Sequence, residues 1–220
     1  MKILPFLALL LLPACGSLLN PGPPPARIQL NPAMPDKAPV SVKKQIVIAP
    51  PQVEGDMDAD SVVLLFHGRE LRHLSGVRWI SPVARMLQHA IIDALQTSGG
   101  FAGVADDMAG ISADARLLCD LRRFCLRYDT ETGPPAAWIY ATLRLVNPGS
   151  GRLMGAMTLD ISIPAASTDT PALLQAMESA LQQALAEIAA WTLDRMGQGV
   201  KVKMFQSTAG SSRRLTPSGG

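Results

Sequence analysis

The sequence predicts an α+β domain in which two amphipathic helices pack on one face of a mixed or antiparallel sheet. Three observations carry this prediction: short β-branched runs, two long segments with helical apolar spacing, and a strong turn between two of the later runs. Hydrophobic residues make up 48% of the 220 residues and charged residues 17%, which suits a globular core. A chain of this length accommodates one such domain.

The first strands precede the first helix. Residues 45–49 (QIVIA) and 61–66 (SVVLLF) are compact β-branched runs, and the polar turn at 55–60 predicts that they pair like a hairpin. Residues 70–74 continue the sheet after a break at Gly68.

The first helix has clear start and stop signals. Ser81 is the predicted N-cap and Pro82 the first helical residue. One apolar face then extends to Ser98, where Gly99-Gly100 ends the helix. That face consists of Val83, Leu87, Ala90, Ile91, Ala94 and Leu95.

Three further strands and a second helix follow. The strands are predicted at 115–128, 138–146 and 153–163, and the turn at 147–151 (NPGSG) predicts antiparallel pairing of the last two. Thr170-Pro171 caps a long helix. Its apolar face is Leu174, Met177, Leu181, Leu185 and Ile188, with Trp191 near the end.

The N-terminus predicts export and an anchor. Lys2, an apolar run over 3–12 and Ala14 describe a secretory signal peptide, and the run is too short to span a bilayer. With Cys15 directly after the small residue, residues 1–14 resemble a bacterial lipoprotein signal. That resemblance implies that the Cys15 thiol takes a diacylglycerol, becomes the new N-terminus and carries fatty acids such as palmitate. An ordinary signal peptide with an incidental cysteine is the alternative.

Residues 15–42 form the predicted tether between this anchor and a domain at 43–196. The segment is rich in proline, with four prolines between 21 and 25, and so favours extended polyproline II or plain disorder. A short strand at 28–30 interrupts it. Residues 197–220 are polar and Gly/Ser-rich and are predicted to be a disordered tail.

The domain resembles a family in the spacing of several segments. These are 78–82 (RWISP), 86–88 (MLQ), 98–101 (SGGF), Val104, 117–124, the turn at Gly149 and 190–193 (AWTL). Over 46–195 the pattern resembles the ABC-type transport auxiliary lipoproteins, in which an Arg-Trp pair, a following proline and a helix ending in a Gly-Phe turn come after the early strands.

The resemblance implies a function and partners. Members accompany an ATPase, a permease and an Mce-domain protein in lipid traffic between the two membranes of a Gram-negative envelope, and homo-oligomers are expected among them. Gly16, in the place where an Asp signals inner-membrane retention, implies the periplasmic face of the outer membrane. The resemblance carries over no catalytic residue and no cofactor.

Side chains that could support chemistry are scattered. His67, His73 and His89 stand far apart without carboxylates or cysteines at ligand spacing, so they predict no metal site. Asp56, Asp58 and Asp60 alternate like the start of a calcium loop, but Ser61 and His67 occupy the positions that an EF-hand gives to Gly and Glu. We therefore expect no enzyme and no cofactor. The net charge of +2 without a dense basic run gives no reason to expect nucleic acid.

Two cysteines remain after Cys15. Cys119 and Cys125 lie on one predicted strand, where six extended residues separate them by about 20 Å, whereas a disulfide needs Cα atoms within about 7 Å. They are predicted to be buried, unpaired thiols, and an intermolecular disulfide is the alternative.

Three residues are candidates for contact with a partner or lipid. Trp79 and Trp191 flank helix boundaries, where an aromatic ring serves either as an interface anchor or as a seal for the core, and the core is favoured. Arg78 either binds a carboxylate or lipid phosphate or is a solvated strand end.

Two hypotheses for function follow. The favoured one is a non-enzymatic, lipid-anchored accessory of an ABC/Mce-type lipid transport system. The alternative is a structural lipoprotein of an envelope secretion or assembly apparatus.

Overall fold

The structure, a computed structural model, describes residues 23–53, 55–130 and 132–197. Cys15, the signal segment 1–14 and nearly all of the tail 197–220 lie outside the described residues. The strands are β1 (Ala26–Ile28), β2 (Val42–Ile48), β3 (Gln52–Val53), β4 (Ser61–Phe66), β5 (Glu70–Trp79), β6 (Phe101–Asp106), β7 (Ala115–Tyr128), β8 (Ala136–Val146) and β9 (Leu153–Pro164). The helices are α1 (Val83–Ser98) and α2 (Thr170–Gly197), with a short 3-10 turn at Gly55–Asp58.

Strand β7 organises a mixed sheet. Along one edge it pairs antiparallel with β8, which pairs antiparallel with β9, as the turn at 147–151 predicted. Along the other edge it receives β2, β3 and β4 one after another, all parallel. The sheet then extends from β2 to β6 and from β4 through β5 to β1. The predicted α+β class is confirmed.

The predicted hairpin between 45–49 and 61–66 is wrong. These two runs, now β2 and β4, lie in succession along the same edge of β7 instead of beside each other. Pro50-Pro51 ends the first run, and β3 and the 3-10 turn carry the chain along β7 before β4 begins. The antiparallel partner of β4 is β5, joined to it by a tight turn in which His67 and Gly68 have φ values of 49° and 68°.

Helix boundaries agree with the sequence at one end and differ at the other. Gly99 ends α1 in the left-handed conformation (φ 65°), and its N–H donates to the Gln96 carbonyl. The N-cap of α1 is Pro82 rather than Ser81, and no side chain caps it. In α2 the capping side chain is Asp169, not Thr170, because the Asp169 carboxylate accepts from the Ala172 N–H (3.4 Å).

Both helices pack on one face of the sheet, which we call the inner face. The core cluster on this face joins apolar residues of β7 to apolar residues of both helices. The β7 residues are Leu117, Leu121, Phe124 and Leu126, and the helix residues are Leu87, Ile91, Leu95, Leu173, Met177, Leu181, Leu185 and Ile188. Strand β6 was not predicted, since Gly103 interrupts its short apolar run. On the opposite, outer face a small cluster forms from Met57, Val63, Leu65 and Cys125.

The segment before β2 crosses the domain. We call residues 26–41 the N-terminal strap. Its strand β1 pairs parallel with β5, Leu30 and Pro32 are buried, and the Ala38 N–H donates to the Ser98 carbonyl (2.8 Å). The strap therefore extends the folded unit N-terminal to residue 43, and residues 26–41 are not the free spacer that the sequence predicted.

Candidate anchoring and docking surfaces

The strap determines where the chain leaves the domain toward Cys15. Because β1 runs parallel to β5, with Ala26 opposite Val77, the preceding residues continue beside the first half of β5. Pro23 and Pro25 line a cavity there with His73 and Leu74. The chain thus heads toward the end of the sheet that carries the β4–β5 turn.

Arg78 lies at the edge where the strap joins the sheet. Its guanidinium forms an ion pair with Asp60 (2.9 Å), and Arg27 of the strap approaches the same carboxylate (3.7 Å) while donating to the Ile80 carbonyl (3.3 Å). All three side chains are substantially exposed, so each pair contributes little stability. Arg27 links the strap to Asp60, while Arg78 leaves part of its guanidinium open to solvent.

The two tryptophans singled out by the sequence lie in different environments. Trp79 is 1% exposed and packs against Phe124 with ring centroids 6.0 Å apart, so it is a core residue. Trp191 is partly exposed and lies over β9, where a Cβ added to Gly155 would stand 3.4 Å from its ring. The β5 and β9 strands lie toward opposite edges of the sheet, so Arg78, Trp79 and Trp191 do not form one site.

A third tryptophan, Trp138 on β8, was not singled out. It lies on the outer face between Arg123 and Arg127, with the guanidinium carbons 5.7 and 4.7 Å from its ring centroid. Its indole N–H donates to Asp160 (2.8 Å). The alternation of buried and exposed residues along β7, β8 and β9 could have placed Trp138, Arg127 and Asp160 on one face. The position of Arg123 beside Trp138 also requires a β-bulge in β7, which the sequence does not reveal.

Cavities near the helices are small. A cleft of about 190 Å³ separates the strap from both helices, and His89 and Asp93 of α1 line it. This is below the range of about 300–1,000 Å³ usual for small-molecule sites. Among the described residues, no group of three His, Cys, Asp or Glu side chains could hold a metal ion. Nor is any described helix long and apolar enough to cross a membrane.

The two described cysteines are buried, and neither forms a disulfide within the described residues. Their state as unpaired thiols in solution stays a prediction. They lie on opposite faces of β7, Cys119 in the inner core and Cys125 in the outer cluster. Burial disfavours the thiolate and raises the pKa of Cys119 to about 12 and that of Cys125 to about 11.

We expect both thiols to resist iodoacetamide in the folded protein at pH 8, because the thiolate is the nucleophile and is scarce there. Denaturation without reductant should expose both to alkylation, which intact-mass measurement would count. Failure of the denatured, unreduced protein to react at these two positions would show that they are oxidised.

The geometry defines a class: a two-layer helix-on-sheet domain whose N-terminal strap is fixed across it. A solved structure of a Xanthomonas campestris protein of the DUF330 family is similar, with a TM-score of 0.72 and 28% identity over 79% of this chain and 98% of that chain. An uncharacterized protein has the same fold, with a TM-score of 0.61 and 16% identity over 77% of this chain and 99% of that one.

The family model of the ABC-type transport auxiliary lipoprotein component matches residues 29–189, well over half of the chain. The protein belongs to this family of auxiliary lipoproteins, as the resemblance at 78–101 implied. The match begins at Gln29, inside the strap, which agrees with the strap being part of the domain. Among curated proteins there is no match to this chain.

Proposed function

We propose that the protein is the non-enzymatic, lipid-anchored accessory of an ABC transport system that moves lipids between the inner and outer membranes. The observation that carries the proposal is the family match over 29–189. In this role the domain docks an Mce-domain protein, and through it the permease and ATPase, near the outer membrane.

The strap supports a positional mechanism. Cys15 carries the diacylglycerol and fatty acids, and a triacylated cysteine holds a membrane far better than one acyl chain, since each buried methylene contributes about 0.8 kcal/mol. An extended polyproline II segment from Cys15 to Ala26, as the sequence predicts, would span about 34 Å. Because β1 is paired with β5 and the strap is bonded to α1, the chain that follows the anchor is fixed to the domain from β1 onward. The domain is thereby held near the periplasmic face of the outer membrane.

The anchor is tested by metabolic labelling with an alkyne analogue of palmitate. The wild-type protein should incorporate the label and begin at Cys15, whereas Cys15→Ala should incorporate none because the acceptor thiol is gone. Ser17→Ala, which leaves the thiol in place, is the matched control and should be labelled normally. Label retained by Cys15→Ala would contradict lipidation at this residue.

The partner is tested by crosslinking and pull-down from envelope membranes with the same three proteins. We expect wild type and Ser17→Ala to recover an Mce-domain protein and its permease, and Cys15→Ala to recover less of both. Recovery of secretion components instead would support the alternative of a secretion or assembly lipoprotein. Recovery of neither would refute the transport role.

A further inference from the structure

The outer face of β7, β8 and β9, turned away from both helices, carries the strongest concentration of arginine and aromatic side chains on these strands. We propose that this face is a docking surface for an acidic segment of a partner protein. Since the partner would be a component of the transport system, the identity of that partner rests on the function proposed above, whereas the surface itself rests on the geometry that follows.

A β-bulge in β7 concentrates the positive charge. Leu121 is opposite Ala141 and Arg123 is opposite Tyr140, so Arg122 is an extra residue in the ladder. Arg122 pairs with Asp120 (3.0 Å), and Arg123 contacts Trp138, which places both consecutive arginines on the outer face. In a regular strand one of the two would point into the helix-covered core. Bulges characteristically redirect side chains in this way.

Trp138 is held in a fixed position at the centre of this surface. Arg127 and Arg123 lie over its ring, Asp160 of β9 accepts from its indole N–H, and the Tyr140 ring is 6.2 Å away. A cluster fixed by its own contacts loses little conformational freedom when a partner binds. Tryptophan, tyrosine and arginine are also the residue types that dominate binding energy in protein interfaces.

The charge on the three strands is unbalanced. They present five outward arginines against two aspartates, Asp120 and Asp160; the arginines are Arg116, Arg122, Arg123, Arg127 and Arg144. Asp107 and Asp129 from the flanking loops pair with Arg116 and Arg127. Arg123 forms no ion pair with any carboxylate of the described residues, and its positive charge is available to a partner. The three strands contain no lysine, and protein interfaces are enriched in arginine and depleted in lysine.

A depression of about 470 Å³ extends the surface toward the start of β7. Pro50, Arg116, Asp120 and Arg144 line it. Arginine binds carboxylates through two parallel hydrogen bonds, so successive acidic side chains of an extended segment could engage Arg123 and then this depression. A lipid surface fits less well, because the chain leaves toward Cys15 at one end of the strands whereas the outer face lies along their length.

The surface is tested with the full chain and a fluorescently labelled decaglutamate peptide, by anisotropy at low and physiological salt. We expect binding at low salt that weakens as salt rises. Replacing both guanidiniums, as Arg123→Gln with Arg127→Gln, should raise Kd about tenfold. Arg69→Gln with Arg85→Gln removes two exposed charges elsewhere, at the β4–β5 turn and on α1, and should change Kd less than about twofold.

Several outcomes would overturn the proposal. The first is that the wild type does not bind the peptide, and the second is that both double variants weaken binding equally. The third is that the wild type binds phosphatidylglycerol vesicles more strongly than the peptide and that the Arg123/Arg127 variant loses this vesicle binding. Self-association lost in that variant, seen by sedimentation in the absence of peptide, would assign the face to a second copy instead. Circular dichroism must show both variants folded. If Gln does not preserve the fold, Arg123→Lys with Arg127→Lys should still weaken peptide binding by more than about threefold, because lysine lacks the bidentate geometry and the ring stacking of arginine. Unchanged binding by this lysine variant would contradict recognition through the guanidiniums.

The pull-down separates the surface from the function. If peptide binding depends on Arg123 and Arg127 but wild type recovers no transporter component, the surface stands and the proposed function fails. If both double variants recover transporter components equally and peptide binding does not depend on Arg123 and Arg127, the proposed function is retained. The proposal of an acidic-segment docking surface is then rejected.

Discussion

Replacing Trp79 with alanine should lower the free energy of unfolding by about 3–5 kcal/mol. The ring is 1% exposed and packs on Phe124, so its removal leaves a cavity beneath β5 that neighbouring side chains cannot fill. Urea denaturation followed by circular dichroism measures the loss.

Arg78→Ala is the adjacent control for this prediction. Its guanidinium is exposed and pairs with Asp60 at the surface, so the variant should lose no more than about 1 kcal/mol. A Trp79→Ala protein that remains as stable as wild type but loses transporter in the pull-down would instead show that the ring acts as a partner contact.

Deleting Arg122 should be tolerated, whereas deleting Asp120 should not. Without Arg122 the bulge closes, and Leu121, Arg123 and Phe124 follow the regular alternation with their partners unchanged on β8. The deletion removes the exposed Arg122–Asp120 pair. It also shifts β3 by one residue relative to β4, and the connection at 55–60 can adjust to this shift. We expect a loss of about 1–2 kcal/mol.

Deleting Asp120 has the opposite consequence because alternation then turns Leu121 outward and Arg122 into the core. Burial of an unpaired guanidinium and loss of a core leucine should cost about 4 kcal/mol or more. Denaturation midpoints of the two single-residue deletions provide the comparison. Equal stability of the two deletion variants would mean that the bulge does not determine which β7 side chains point into the core.

The bulge also explains why the sequence does not predict the arginine surface on the outer face of β7, β8 and β9. The run at 122–127 (RRFCLR) is visible, but strict alternation would send either Arg122 or Arg123 inward. Trp138 can be recognised as part of this surface only once the pairing of β7 with β8 is known. That pairing places it beside two arginines that precede it by 11 and 15 residues. Conversely, the sequence favours the core for Trp79 but leaves a partner contact open, because the burial of the ring depends on packing with Phe124, 45 residues away.

Sequence patterns over a few residues were sufficient to predict those elements whose structure depends on neighbouring residues. The helical spacing of apolar residues in α1 and α2, the glycine that ends α1, the three long strands and the antiparallel turn at 147–151 all follow from the sequence because each depends on neighbours within a few residues. The family also followed, since its spacing of Arg-Trp, proline and Gly-Phe is local.

Only the tertiary structure decided which strands pair and which face each residue occupies. The parallel contacts of β2, β3 and β4 with β7, the docking of the strap on β5 and the extra residue at Arg122 all join segments that are distant in the chain. Such pairings depend on the burial of a shared core rather than on the propensity of any one segment. The sequence by itself therefore determined both helices, the long strands and the family, while packing around β7 determined the short strands' pairing and the surfaces that the domain presents.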